Sequence, residues 1–288
     1  MNQNKGARLI LTSAFFYGTY GIWSRLMSSS FGEFSQAWTR GLFLLIVIIL
    51  INLKFHIFKP LVKRDLPWLA LIAMAGGLNQ APYFFGFKHL SIGTATLFFY
   101  AALVIGGYFI GKIVFQEKLT PTKIFNLLLA VVGLLFIYHL NLSPSQILPA
   151  ILTILAGLMG SATVIIPRKL VGGYPEFQIM IGYLVIQVIA NGFLSSLFHD
   201  PLPSLNQPIS WLAQLGYASS MLLANWAAIE GYRHFDASIG SLIGLAEILF
   251  GVFFGILFFN ESLNLGIIIG GLLILISASL PHLIKNQT

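Results

Sequence analysis

Two ionisable side chains stand where this sequence is otherwise apolar. Glu247 lies within GLAEILFGVFFGILFFNE (244–261), and the next charge is Glu261. Arg40 follows Trp38-Thr39, and no further charge appears before Lys54. A charge left bare at the centre of a bilayer costs at least about 2.5 kcal/mol, so such residues face protein or a wet cavity. The chemistry open to them is ligand binding and proton exchange. The planar guanidinium of Arg40 suits a substrate carboxylate. It could instead snorkel to the nearer surface or pair with Glu247. Glu247 has three readings: a proton-coupling site, a ligand for a substrate amine, or a structural group paired with Arg40 or hydrogen-bonded as a neutral acid.

The elements that must position these residues are apolar throughout. The chain is 57% hydrophobic and only 9% charged, against about 25% charged in a soluble domain. A bilayer span needs roughly 20 consecutive, mostly apolar residues. Ten stretches qualify, at about 7–27, 34–53, 66–87, 91–113, 121–141, 147–167, 177–198, 209–230, 237–260 and 264–284. Lipid offers the backbone no hydrogen bonds, so continuous runs of this length predict helices. The expected fold class is all-α integral membrane, with ten transmembrane helices and only short connectors. The first stretch has no clear small-residue cleavage site and reads as a first helix, not a removed leader. The net charge of +7 sits in the connectors and does not point to nucleic acid. The connectors on the N-terminal side hold most Lys and Arg, from Lys5 and Arg8 to Arg233; the opposite side holds Arg25 and Lys88. The positive-inside rule then places both termini in the cytoplasm and the protein in the cell membrane, the inner one in a Gram-negative cell.

A helix turns about 100° per residue, so polar stripes can be laid out on each span. Span one carries Ser13, Tyr17, Tyr20 and Ser24; span three carries Gly76, Asn79 and Tyr83, with Gln80 beside them. Span seven has Tyr183, Gln187 and Asn191, and span eight has Ser219, Trp226 and Glu230, with Asn225 adjacent. Four such stripes predict one shared wet cavity, with interhelical hydrogen bonding as the plainer alternative. Spans five and ten have no comparable stripe. Tyr83, Tyr100 and Trp226 sit deep enough to wall a substrate and to meet an ammonium group. Trp23 and Trp38 read as interface anchors. In span nine Gly240, Gly244, Gly251 and Gly255 share a face with Glu247 at its edge, and Gly93, Gly107 and Gly111 make a matching face in span four. Small residues at this spacing let helices approach closely.

The sequence also repeats itself. Gly86-Phe87-Lys88-His89-Leu90 returns as Gly231-Tyr232-Arg233-His234-Phe235, and Phe115-Gln116-Glu117 returns as Phe259-Asn260-Glu261. Trp68-Leu69-Ala70 answers to Trp211-Leu212-Ala213. The halves, 1–145 and 146–288, each hold five spans. Five is odd, so the second half enters the membrane from the opposite side, which is the inverted repeat of many secondary transporters. With Glu-Lys-Leu-Thr and Glu-Ser-Leu-Asn closing spans four and nine, Trp38-Thr39-Arg40 in span two and Leu245-Ala246-Glu247 in span nine, the whole chain resembles the EamA branch of the drug/metabolite transporter superfamily. Ile248 stands where that family often has proline. The resemblance implies a central cavity lined by spans 1–4 and 6–9, with spans 5 and 10 as outer supports, and movement of small metabolites such as amino acids, often outward.

The residues and the resemblance together predict a secondary active transporter of small organic solutes. The expected activity is export of amino acids or similar amphipathic solutes by alternating access, with proton coupling through Glu247 as one reading. An importer of organic cations or zwitterions and a lipid flippase or scramblase are the alternatives. The expected substrate contacts are Tyr17, Tyr20, Arg40, Asn79, Tyr83, Tyr100, Gln187, Trp226 and Glu247. No enzymatic activity, catalytic residue, cofactor or metal is expected: no His or Cys pair stands at ligand spacing, and no Walker sequence is present. Glu117, Glu261, His89 and His234 read as structural, and His139 stands alone. The expected partners are a small-molecule substrate and the bilayer, with no nucleic acid; glycine faces serve a monomer or a homodimer equally. The chain has no cysteine, which removes disulfide and thiol chemistry.

Overall fold

The structure, a computed structural model, describes residues 3–27, 30–138 and 142–285; His139 lies outside them. Among these residues it is helical, with short 3-10 turns and no strand. The helices are α1 (Gln3–Gly18), α2 (Tyr20–Met27), α3 (Glu33–Phe55), α4 (Leu66–Leu78), α5 (Gln80–His89), α6 (Ile92–Phe115), α7 (Pro121–Ile137), α8 (Ile147–Ile165), α9 (Glu176–Leu197), α10 (Pro208–His234), α11 (Ala237–Gly244), α12 (Ala246–Phe259) and α13 (Leu265–Lys285). Each of the ten apolar stretches coincides with one helix or with two in succession. Five helical segments are long and apolar enough to cross a membrane, and α7 and α13 are shorter apolar helices. Large apolar side chains on the outside, such as Leu50, Phe109 and Ile189, are well exposed, as a lipid-facing surface requires.

Three of the apolar stretches are not continuous helices, and the sequence reading did not foresee this. The breaks fall at Thr19, Asn79 and Leu245, and each has a local cause. The Thr19 hydroxyl takes the Phe16 carbonyl at 2.6 Å, competing with the backbone, as Thr does within helices. The Asn79 side chain leaves its own helix and donates to the Ala156 carbonyl of α8 at 2.7 Å. At Leu245 the ladder tightens to i→i−3 bonds, Leu245 N to Leu242 O at 3.2 Å and Ile248 N to Leu245 O at 3.0 Å. Short 3-10 interruptions of this kind often mark functional hinges.

Helix ends follow local rules. Ser91 accepts from the Thr94 amide and Thr120 from the Lys123 amide, with Pro121 in the first turn; both are N-caps. α6 and α12 end in the same way, in left-handed Gln116 (φ 55) and Asn260 (φ 52). The following amides, of Glu117 and Glu261, return to the carbonyls of Gly111 and Gly255.

Packing depends on close backbone approach. Gly133 and Gly270 bring α7 against α13 through each other's carbonyls. A Cβ on Gly157 of α8 would lie 2.8 Å from Ala102 Cβ and 3.1 Å from the Leu103 amide of α6. Gly107 of α6 faces Ser241 of α11, whereas Gly240 and Gly251 of span nine face Tyr232 of α10 and Gly18 of α1, so the two glycine faces do not meet each other. Gly93 faces only Tyr138, at 3.8 Å.

Buried carboxylates staple the connectors. Asp65 accepts from the amides of Val171 (3.1 Å) and Gly172 (2.8 Å), joining the α3–α4 and α8–α9 connectors. Burial pushes its carboxyl up, but these amides and the Tyr174 hydroxyl outweigh that and hold it below the usual range. Glu117 behaves likewise: burial raises it, and bonds from Ala237, Ser238 and Arg168 pull it below the usual range.

Two outcomes follow. Gly157→Val should destabilise by about 1–3 kcal/mol through overpacking against backbone, whereas Gly21→Ala, with nothing within 4 Å of its added Cβ, should be neutral or slightly stabilising; thermal unfolding in detergent measures both, and equal effects would contradict the packing account. A depressed carboxyl contributes stability that is present above its unfolded pKa, 3.8 for Asp65, and lost as pH falls through its folded value. Asp65→Asn should therefore melt below wild type at neutral pH and converge with it as pH falls below 3.8; a gap independent of pH would refute the staple.

Candidate functional site

The three helix breaks converge on one cavity of about 180 Å³. Its wall takes residues from both sides of each break: Tyr17 and Tyr20 around Thr19, Gly76 and Gln80 around Asn79, Gly244 and Glu247 around Leu245. Arg40 comes from α3, Tyr100 from α6, Thr163 from α8 and Tyr183 from α9. No described residue of α7 or α13 reaches it. Seven of the ten Tyr in the chain line this cavity, against one of its 25 Phe, Phe99. That segregation separates an amphipathic, hydroxyl-bearing wall from the greasy exterior.

Arg40 is 2% exposed. Its guanidinium lies over the Tyr217 ring, 4.1 Å from the centroid. Tyr217 packs tilted against Tyr20 (4.3 Å between centroids, 55° between planes), and Tyr20 meets Tyr17 edge to face (5.2 Å). Arg40 Nη2 donates to Gln80 Oε1 over a long 3.5 Å, and Gln80 in turn donates to Asn79. Arg40 Nε and Nη1 have no partner among the described residues. A buried charge normally needs a partner and full hydrogen bonding, and two nitrogens of this guanidinium find neither among the described residues. Glu247 is not that partner: no ion pair joins the two among the described residues. Glu247 Oε1 instead accepts from the Tyr100 hydroxyl at 2.5 Å. Of the readings of Glu247, the pair with Arg40 is thereby removed. The cavity so carries a cation with spare donors and, elsewhere on its wall, a carboxyl tied to one tyrosine.

The structure brings together Tyr17, Tyr20, Arg40, Asn79, Tyr83, Tyr100 and Glu247 in this wall. Two expected contacts are elsewhere. Gln187 is fully buried and donates to the Ala37 carbonyl at 2.9 Å; one turn beyond Tyr183, it faces α3 and ties two helices. Trp226 is half-buried outside the wall. The cavity face of α10 is Tyr217, Met221, Asn225, Ala228 and Tyr232, so Trp226 stands one residue, about 100°, off it. Ser219 is exposed, and Glu230 bonds Lys5 at 2.7 Å at the end of the bundle. Tyr217 and Tyr232 were missed. Their spacing to Met221, Asn225 and Ala228 is helical, and testing every register of span eight would have found the face. Tyr17 donates to Asn225 at 3.1 Å.

Comparisons with known proteins agree with this architecture. A solved crystal structure superposes with a TM-score of 0.81 over 99% of both chains at 16% identity, which shows the fold. Proteins of two Helicobacter pylori strains, J99 and 26695, each named as an uncharacterized transporter, are 23% identical over 293 residues, covering 98% of this chain and 96% of theirs. The sequence model of the EamA-like transporter family matches residues 4–139 and again 147–280. With two matches spanning nearly all of its length, the chain belongs to the EamA-like transporter family.

Proposed function

We propose that the tyrosine-lined cavity is the solute site of a secondary transporter that works by alternating access, and that its solutes are amphipathic zwitterions of amino-acid type. The observation that carries this reading is the buried Arg40 with two unpartnered nitrogens, set in one wall with the carboxyl of Glu247. A carboxylate on Arg40 satisfies the guanidinium, and an ammonium meets Glu247 and the tyrosine faces. A phosphate or sugar phosphate finds no second cation in the wall. Ten spans in two inverted halves, with both termini cytoplasmic, give the site access from either surface. Glu247, which either binds the ammonium or holds a proton, provides a route to exchange proton for solute, and outward movement of solute in a cell membrane follows where the proton gradient points inward.

Two measurements test this. Hydrogen bonds to a charged group contribute about 1.5–3 kcal/mol each, so Arg40→Gln should weaken binding or raise KM at least about tenfold for carboxylate-bearing solutes in proteoliposomes, with Arg40→Lys recovering only part of it. An unchanged KM removes Arg40 from the site. Glu247→Gln should abolish proton-driven flux while retaining exchange of solute for solute; persistence of a pH-dependent flux would rule out coupling at this carboxyl. Translocation of fluorescent lipid in place of solutes would favour a flippase.

A further inference from the structure

The sequence repeat has a charged counterpart that the solute site does not use. At shifts of 143 to 145 residues, Arg25 answers to Arg168, Glu33 to Glu176, Lys88 to Arg233, and Glu117 to Glu261. The structure places the members of each correspondence at opposite ends of the bundle, one end with Lys5 and the other with Arg25.

The two ends are not in the same condition. At the Lys5 end, Arg168 bonds Glu117 at 2.9 Å, with the Glu117 side chain 6% exposed. Glu117 also accepts from the Ala237 amide and the Ser238 hydroxyl, both at 2.8 Å. The end of α6 thereby caps the start of α11. Arg233 pairs with Glu176 and donates to the Tyr174 carbonyl. At the Arg25 end, Arg25 touches Glu261, but these side chains are 52% and 45% exposed. Among the described residues Glu261 caps no helix, and α6 starts under its own Ser91. No ion pair joins Lys88 to Glu33 among the described residues. The helices agree with the charges. A Cβ on Gly107 would lie 2.6 Å from Ser241 of α11, whereas at its counterpart Gly251 the nearest atom is the Gly18 carbonyl oxygen, 3.9 Å away.

We propose that these are two alternating latches. Glu117–Arg168 with Glu176–Arg233 shuts the Lys5 end, Glu261–Arg25 with Glu33–Lys88 shuts the Arg25 end, and the structure is the form closed at the Lys5 end. The proposal rests on the alternating-access reading and names what sets the direction in which the site opens. When the bundle rocks, Glu117 releases the start of α11, and Glu261 takes the matching place at the start of α6. Tyr100 and Glu247, bonded between α6 and α12, hold these helices together at the depth of the solute, between the latches.

Because the chain has no cysteine, single reporters test this in the full-length protein. Ser241→Cys sits at the shut α6–α11 contact, where Ser241 is fully buried; Thr96→Cys sits at the corresponding place toward the Arg25 end. In proteoliposomes a soluble thiol reagent should label Cys at 96 and spare Cys at 241. Adding Glu117→Gln should raise labelling at 241 about tenfold and lower it at 96, because releasing one latch shifts population to the other form. Labelling at 241 that stays unchanged, or labelling that rises at both positions, overturns the proposal. Should Glu117→Gln fail to fold, Arg233→Gln breaks the second pair of the same latch and is held to the same outcomes. Wild-type solute flux in the same vesicles tests the transport reading separately: flux with labelling insensitive to both variants overturns the latches alone.

Discussion

The desolvated guanidinium of Arg40 is the constraint on which the rest of the structure depends. A cation this buried, with no acidic partner among the described residues, is costly in an apolar bundle. The protein offsets part of that cost with the face of Tyr217 and a long bond to Gln80. The remaining donors, Nε and Nη1, have no partner among the described residues, and the proposed solute carboxylate would meet them. Gln80 can reach because α4 and α5 break at Asn79, whose side chain is committed to α8. Tyr217 is held by Tyr20, which follows the break at Thr19. The irregular backbone is thus found where it lines a cavity, the one place at membrane depth where broken helices are tolerated.

Close backbone packing holds the helices around this site. Glycines at α6–α8, α6–α11 and α7–α13 let backbones approach within van der Waals contact. Association in lipid relies on such packing and on interhelical hydrogen bonds, because lipid tails are as apolar as the side chains. The polar groups near the site therefore divide into two sets. Gln187, Asn191 and Gln214 lie between helices and bond to carbonyls. The tyrosines line the cavity, and the hydroxyls of Tyr20 and Tyr183 have no hydrogen-bond partner among the described residues.

Much of this was legible in the sequence, because a bilayer reduces the problem to apolar length and helical phase. All ten stretches proved helical, with ends within a few residues of those read, and the stripes on spans one and three reach the cavity. The failures are failures of phase and of competition. On span eight, the stripe of Ser219, Trp226 and Glu230 lies one residue off the register that carries Tyr217, Asn225 and Tyr232 into the cavity wall. On span seven, Tyr183, Gln187 and Asn191 share one side of the helix, but only Tyr183 lines the cavity and Gln187 bonds α3. The breaks were hidden because Thr19 and Leu245 are unremarkable helix residues; only a tertiary partner or a shared carbonyl shows that the ladder is interrupted. That Arg40 and Glu247 ignore each other depends on where helices sit in space, which no helical wheel supplies.

The central claim is that Arg40 waits for a carboxylate. The most direct measurement is the melting temperature of the purified protein with a zwitterionic amino acid, with its methyl ester and with its deaminated acid, since a ligand that binds the folded state raises stability by mass action. The account predicts that the zwitterion stabilises most, that the acid retains part of the effect through Arg40, and that the ester loses it. An ester that stabilises as well as its parent would contradict a carboxylate on Arg40 and leave the guanidinium as a structural group of the bundle.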